Sequence, residues 1–175
     1  MKKTRLITVI LLIVSFASFS SEIPHTFFLN LQVNKTKLYD YNLFLTSSPE
    51  LVELTFNEDT YKFDTGSVIV TANTDIPADS SGVGFLYNLS VLSNESQCVS
   101  TVTDEITQSD IVELSVDGRV FDELTPLTGL GLTETSDSGY LFGTSNILLN
   151  SSVISERDMV QKCYGNIIIE AELTL

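Results

Sequence analysis

This chain has few residue types in an arrangement that could perform acid–base or nucleophilic chemistry. The chain has a single histidine, His25, and no tryptophan. A Ser–His–Asp triad needs a histidine that is held rigidly between its partners, but His25 directly precedes a short alternating segment near the start of the chain. The sequence also lacks a glycine-rich phosphate loop, a nucleophile elbow and zinc-ligand spacing. We therefore expect no catalytic residue, no cofactor and no enzymatic activity.

Acidic side chains are abundant, with 23 Asp and Glu residues against 9 Lys and Arg residues and a net charge of −14. Such a charge repels nucleic acid, so we expect no nucleic-acid partner. Two acidic segments, "NEDTYKFDTG" and "TDIPADSSG", contain carboxylates that could bind calcium, because carboxylate oxygens are its usual ligands. Their candidate ligands are Asp59, Asp64, Asp75 and Asp79. Neither segment has EF-hand spacing, so we predict no metal site.

The first residues, "MKKTRLITVILLIVSFASFSSE", resemble a secretory signal peptide. Lys2, Lys3 and Arg5 precede an apolar run that is followed by small residues. We expect residues 1–20 to be the signal peptide, with cleavage after Ala17 or Ser20. An uncleaved membrane anchor is the alternative, although the run is shorter than the roughly 20 apolar residues that span a bilayer.

The chain has two cysteines, Cys98 and Cys163. In an exported protein an even number of cysteines usually indicates disulfides. We predict one disulfide between them. Two free thiols or a metal site remain the alternatives.

The pattern after the expected signal peptide predicts an all-β fold. Short segments rich in Val, Ile, Leu, Phe, Tyr and Thr alternate with polar turns such as "TSSPE", "NEDT" and "SNES". Asp117-Gly118 in "SVDGRVF" is a two-residue hairpin signal. No segment has the 3.6-residue period of a long helix. The spacing of the segments favours a β-sandwich, and "LTPLTGLGLTETSDSG" is the most loop-like stretch, with leucines that can reach the core.

Alternation is clearest near the two ends of the chain. In "HTFFLNLQVN", residues 25–34, four apolar residues share one strand face: Phe27, Leu29, Leu31 and Val33. In "NIIIEAELTL", residues 166–175, five apolar residues share one face: Ile167, Ile169, Ala171, Leu173 and Leu175. A long apolar strand with an uncovered edge promotes aggregation. We therefore expect that edge to be covered, either by the chain itself or by a partner.

Four segments together resemble the pilins of the chaperone–usher pathway, and are most similar to the alpha class of colonisation-factor and common-pilus subunits. They are "LNLQVNKTKLYDYNLFL", "VELTFNEDTYKFDTGSVIVTANTDI", "IVELSVDGRVFDELTP" and "YGNIIIEAELTL". The mid-chain Cys98 and the next-to-last residue Thr174 differ from the type 1 branch. Major subunits of the alpha class commonly lack cysteines, so the two cysteines fit a minor subunit or an outlying branch.

The resemblance implies a single immunoglobulin-like β-sandwich, residues 35–175, that is incomplete and finished by donor-strand complementation. A periplasmic pilus chaperone would lend the missing strand beside the C-terminal strand. At the outer-membrane usher, the extension of a neighbouring pilin subunit, residues 21–34, would replace it by β-strand addition. Phe27, Leu29, Leu31 and Val33 would then fill a neighbour's groove. The protein would pass through the periplasm into a fimbrium on the cell surface and support adhesion, with any host receptor unidentified.

A different class of function stays open alongside this one. The chain is alternatively a self-contained secreted β-sandwich that binds a ligand, as a lectin-like or calcium-binding adhesin does. The two hypotheses differ in whether residues 27–33 complete their own domain or that of a neighbour.

Overall fold

The structure, a computed structural model, describes residues 25–34, 41–155 and 161–174. The predictions for the signal peptide, residues 1–20, and for Leu175 lie outside the described residues. Within the described ranges no helix is long and apolar enough to span a membrane.

Strands dominate the described residues, and the single helix among them is a short 3-10 helix, Ala78–Val83. The strands are β1 (Thr26–Asn34), β2 (Leu43–Ser48), β3 (Leu51–Glu53), β4 (Phe56–Asn57), β5 (Lys62–Phe63), β6 (Gly66–Pro77), β7 (Leu86–Asn94), β8 (Gln97–Ser100), β9 (Ile106–Ser109), β10 (Val112–Val116), β11 (Arg119–Phe121), β12 (Leu127–Gly131), β13 (Glu134–Thr135), β14 (Tyr140–Ser151) and β15 (Gln161–Thr174).

The described strands form two large sheets and a small hairpin. The first sheet has the order β12-β7-β15-β1-β3, and β8 joins it beside β15 and pairs with β9. The second sheet has the order β11-β10-β14-β6-β2, with β13 beside β14. Strands β4 and β5 pair separately. The two sheets form a sandwich-like arrangement, so the predicted all-β, immunoglobulin-like fold class is confirmed.

The core lies between the two sheets because the long strands alternate buried and accessible residues. Buried and partly buried residues follow one another strictly over the second half of β15. Tyr87 of β7 is among the largest fully buried side chains, and its hydroxyl is hydrogen-bonded to that of Ser145 on β14 at 2.8 Å. This buried contact joins the two sheets, and burial raises the pKa of Tyr87.

Local sequence signals account for two further parts of the fold. Asp117 and Gly118 both have positive φ, 49° and 75°, and join β10 to β11 as the predicted hairpin turn. The loop-like stretch from residue 124 to 139 contains β12 and β13, and its side chains Leu127, Leu130 and Leu132 are buried. The expectation that the leucines of this stretch reach the core is confirmed for these three, whereas Leu124 is 92% exposed.

Candidate functional site

Strand β1 lies between β15 and β3 of its own chain, in a space that we call the β1 slot. It runs parallel to β15 in a register that extends from Thr26 opposite Tyr164 to Asn34 opposite Glu172. On its other side it pairs antiparallel with β3 from Thr26 to Phe28. The segment that we expected to act as a donor strand is therefore part of the first sheet of the chain that carries it.

The side chains predicted to fill a groove do face the core in the β1 slot. Phe27 and Leu29 are 1% and 7% exposed, whereas Leu31 and Val33 are partly buried against the core. Burying the first two contributes about 3 to 6 kcal/mol as an upper estimate. The expected groove residues lie directly alongside. In register, Leu29 is opposite Ile167, Leu31 opposite Ile169 and Val33 opposite Ala171, and Leu173 is also buried.

The two halves of β1 are held differently. Residues up to Phe28 have a strand partner on both edges. From Leu29 to Asn34, β15 is the only strand among the described residues that pairs with β1. The second half thus depends on one ladder, consistent with the lower burial of Leu31 and Val33.

His25 fixes the beginning of β1. Its Nδ1 accepts a hydrogen bond from the backbone N–H of Cys163 at 3.1 Å, and its carbonyl accepts one from Leu54 at 3.4 Å. Its ring packs edge-on against Phe63 with 4.8 Å between the ring centroids. Burial lowers the pKa of His25, and the positive charge of Lys162 lowers this pKa further. The neutral ring therefore holds the start of the strand.

The predicted disulfide is confirmed and lies beside this anchor. Cys98 of β8 and Cys163 of β15 are directly opposite each other in an antiparallel ladder and are bonded. Both residues are buried, at 0% and 1% exposure. A buried disulfide is compatible with an exported protein.

Gly165 allows β1 to approach the rest of the sheet closely. A Cβ atom at this position would lie 2.8 Å from Cδ1 of Phe27 and 2.8 Å from the Cα of Ser96. Two neighbours therefore occupy the space that a side chain would need. Sequence reasoning missed this role, because a glycine in a strand shows that a close approach exists but not which residues make it.

The four candidate calcium ligands of the two acidic segments do not form one site. The Asp75 carboxylate accepts a hydrogen bond from the backbone N–H of Asn42 at 2.6 Å, whereas Asp59, Asp64 and Asp79 are exposed. Across the part of the chain that the structure describes, no three His, Cys, Asp or Glu side chains are grouped so that they could hold a metal ion.

Comparison with models of known protein families finds no match to this chain. Comparison with curated proteins likewise finds no matching sequence. The function proposed for the chain therefore depends on its own residues and geometry.

Proposed function

We propose that this chain is a structural fimbrial subunit that polymerises by exchanging β1 between copies after chaperone-assisted export. The observation that carries the proposal is the β1 slot, in which one strand near the start of the chain inserts Phe27 and Leu29 into the core and pairs along β15. On the expected cleavage of the signal peptide, β1 begins a few residues from the new N-terminus. Such a strand can leave its slot without being threaded through the rest of the fold.

Withdrawal of β1 would expose a strongly apolar surface. Ile167, Ile169 and Ala171 are each 0% exposed, and they line the edge of β15 that β1 covers. An uncovered edge of this kind recruits another strand. A periplasmic chaperone would protect it before assembly, and the β1 of a neighbouring subunit would occupy it in the fibre.

The direction of β1 supports exchange rather than permanent self-occupancy. Within one chain β1 pairs parallel with β15, and parallel ladders are slightly less stable per residue than antiparallel ones. A strand supplied by another copy is not constrained by the connection between β1 and β2, so it can enter in the antiparallel direction. The exchanged pairing would then be the more stable one.

A self-contained secreted binding module is the second candidate, and one observation favours it. In the described chain, β1 already closes its own sandwich and contributes to the same core as the other strands. On this alternative, β1 never leaves its slot and the apolar edge of β15 is not available to a partner.

A peptide added in trans separates the two candidates. The full exported chain carrying Phe27→Asp and Leu29→Asp should release β1, because an unpaired charge in the core is costly. A labelled peptide of residues 25–34 should then bind this variant saturably, measured by fluorescence anisotropy, and raise its unfolding temperature. The control peptide carries the same two aspartates and should not bind.

The wild-type chain provides a second measurement that does not depend on the stability of the variant. Incubated with the labelled native peptide, it should take up the peptide slowly as its own β1 is displaced, and it should form concentration-dependent oligomers on size-exclusion chromatography. If neither chain takes up the peptide and the wild type stays monomeric, the exchange proposal is wrong and the self-contained module is favoured.

A further inference from the structure

A concavity of about 310 Å³ opens on the outer face of the first sheet, beside the start of β1. Phe28 of β1 and Tyr164 of β15 form part of its lining, together with Glu95 and Asp110 from two connections. We call it the outer pocket. It is distinct from the β1 slot, because Phe28 points away from the core and is 54% exposed.

The outer pocket lies beside β15 at the point where β7 ends and β8 begins. The register of β7 on β15 shifts between Ile168 and Ile169; beyond the shift, the end of β7 and all of β8 pair with β15 in one register, with Asn94 opposite Ile167 and Gln97 opposite Tyr164. Between them Ser96 turns inward and is 0% exposed. Its hydroxyl accepts a hydrogen bond from the N–H of Val112 at 3.0 Å. Glu95 and Gln97, on either side of Ser96, line the outer pocket.

Hydrogen bonds hold the lining in position. Asn94 Nδ2 donates to the carbonyl of Val112 at 2.7 Å, and Asn94 Oδ1 accepts from the N–H of Ser96 at 3.3 Å. Gln97 Nε2 donates to the hydroxyl of Tyr164 at 3.0 Å. A lining that is already ordered loses little conformational entropy when a ligand binds.

We propose that the outer pocket binds one ring of a neutral sugar. Phe28 and Tyr164 supply exposed aromatic surface for the apolar face of the ring. The carboxylates of Glu95 and Asp110 are acceptors for hydroxyl groups, and their charge repels anionic sugars. The lining also contains three carboxamide side chains and neither lysine nor arginine. The volume is at the lower end of the range for small-molecule sites, which suits a single ring.

The outer pocket depends on the position of β1, because Phe28 of β1 is part of its lining. Phe28 is opposite Asn166 in the ladder between β1 and β15, so the outer pocket is complete only while β1 occupies its slot. A bound sugar should therefore stabilise β1 in place. Sugar binding does not require exchange of β1 between copies, since Phe28 reaches the outer pocket from the same chain.

Saturation-transfer NMR and a glycan array test the proposal with the full exported chain. Galactose, mannose and N-acetylglucosamine are the neutral probes, and N-acetylneuraminic acid is the anionic probe. We expect saturable binding of at least one neutral sugar and none of the anionic one. Phe28→Ala and, independently, Glu95→Gln should each weaken binding about tenfold.

Phe44→Ala is the matched control, because Phe44 is also a strand residue, is 55% exposed and lies on β2 of the other sheet. It should leave binding unchanged. The proposal is overturned if no neutral glycan binds, or if Phe44→Ala weakens binding as much as Phe28→Ala. It is also overturned if a lysine-containing peptide binds in a Phe28-dependent way while the sugars do not, since the site would then take a basic peptide.

Discussion

Nδ1 of His25 accepts a hydrogen bond from the backbone N–H of Cys163, so the residue that precedes β1 is tied to a cysteine of the disulfide. A protonated Nδ1 has no free lone pair and cannot accept this bond. Protonation would also place a positive charge on a half-buried ring near Lys162. The side-chain hydrogen bond that ties the start of β1 to residue 163 therefore forms only while His25 is neutral.

Acidification should weaken the fold through His25. Its pKa in the folded chain lies below the unfolded value of 6.5, so the unfolded chain binds more protons between these two values. The free energy of unfolding should be at its full value above pH 6.5, fall as the pH drops below 6.5, and level off below the folded pKa. Urea unfolding at a series of pH values measures this.

The matched control for the pH experiment is His25→Asn, which removes the only histidine of the chain. Its stability should be nearly constant near pH 6, where carboxyl groups with a pKa of about 4 remain ionised. An equal pH dependence in this variant and the wild type would contradict the assignment to His25.

A charge introduced at two adjacent residues of β1 should destabilise the fold to very different extents. Leu29 is 7% exposed and Phe28 is 54% exposed, so Leu29→Asp buries an unpaired carboxylate and Phe28→Asp does not. We expect Leu29→Asp to lower the free energy of unfolding by about 3 kcal/mol or more, and Phe28→Asp by about 0.5 kcal/mol or less. Denaturant unfolding of both variants is the measurement, and similar losses would show that β1 is not seated as described.

Gly165→Ala should loosen the contact between β1 and β15. The added Cβ would meet both the Phe27 ring and the backbone of Ser96, and overpacking of this kind costs about 1 to 3 kcal/mol. Phe27→Leu removes the ring that the added Cβ would meet, and it is the second mutation of a double-mutant cycle. In a double-mutant cycle the two losses should be less than additive. Additive losses would mean that the Phe27 ring does not restrict this position.

Loss of the disulfide should lower stability without removing the His25 contact. Cys98 and Cys163 are 65 residues apart, and the chain-entropy model gives about 4 kcal/mol for closing such a loop. The Cys98→Ala/Cys163→Ala variant should therefore unfold at a lower urea concentration. Its pH dependence should persist, since His25 bonds to the backbone of residue 163. A variant as stable as the wild type would contradict the first expectation.

Much of the fold is predictable because local patterns dictate it. The alternation in residues 25–34 and 166–175 identifies β1 and the second half of β15 together with their buried faces. The Asp117-Gly118 turn follows from the positive φ values that this dipeptide tolerates. Two cysteines in a chain expected to be exported were enough to predict their pairing.

The partners of these elements were harder to predict, because strand pairing over long distances leaves no local pattern. Alternation shows that Leu29 faces a core but not that it lies opposite Ile167 of the same chain. Filling of a neighbour's groove by this strand stays a prediction. No local sequence pattern predicts the outer pocket either, because its lining comes from residues on separate segments of the chain.

The pairing of β1 with β15 also has a consequence for folding kinetics. His25 and Cys163, which meet at the start of this ladder, are separated by 138 positions in the sequence. Closing a loop of that length costs entropy before any of the β1–β15 hydrogen bonds can compensate. Folds dominated by such distant contacts reach the native state slowly. Until the ladder forms, the apolar faces of both strands stay accessible to other chains, so the time spent before closure limits the yield of correctly folded protein.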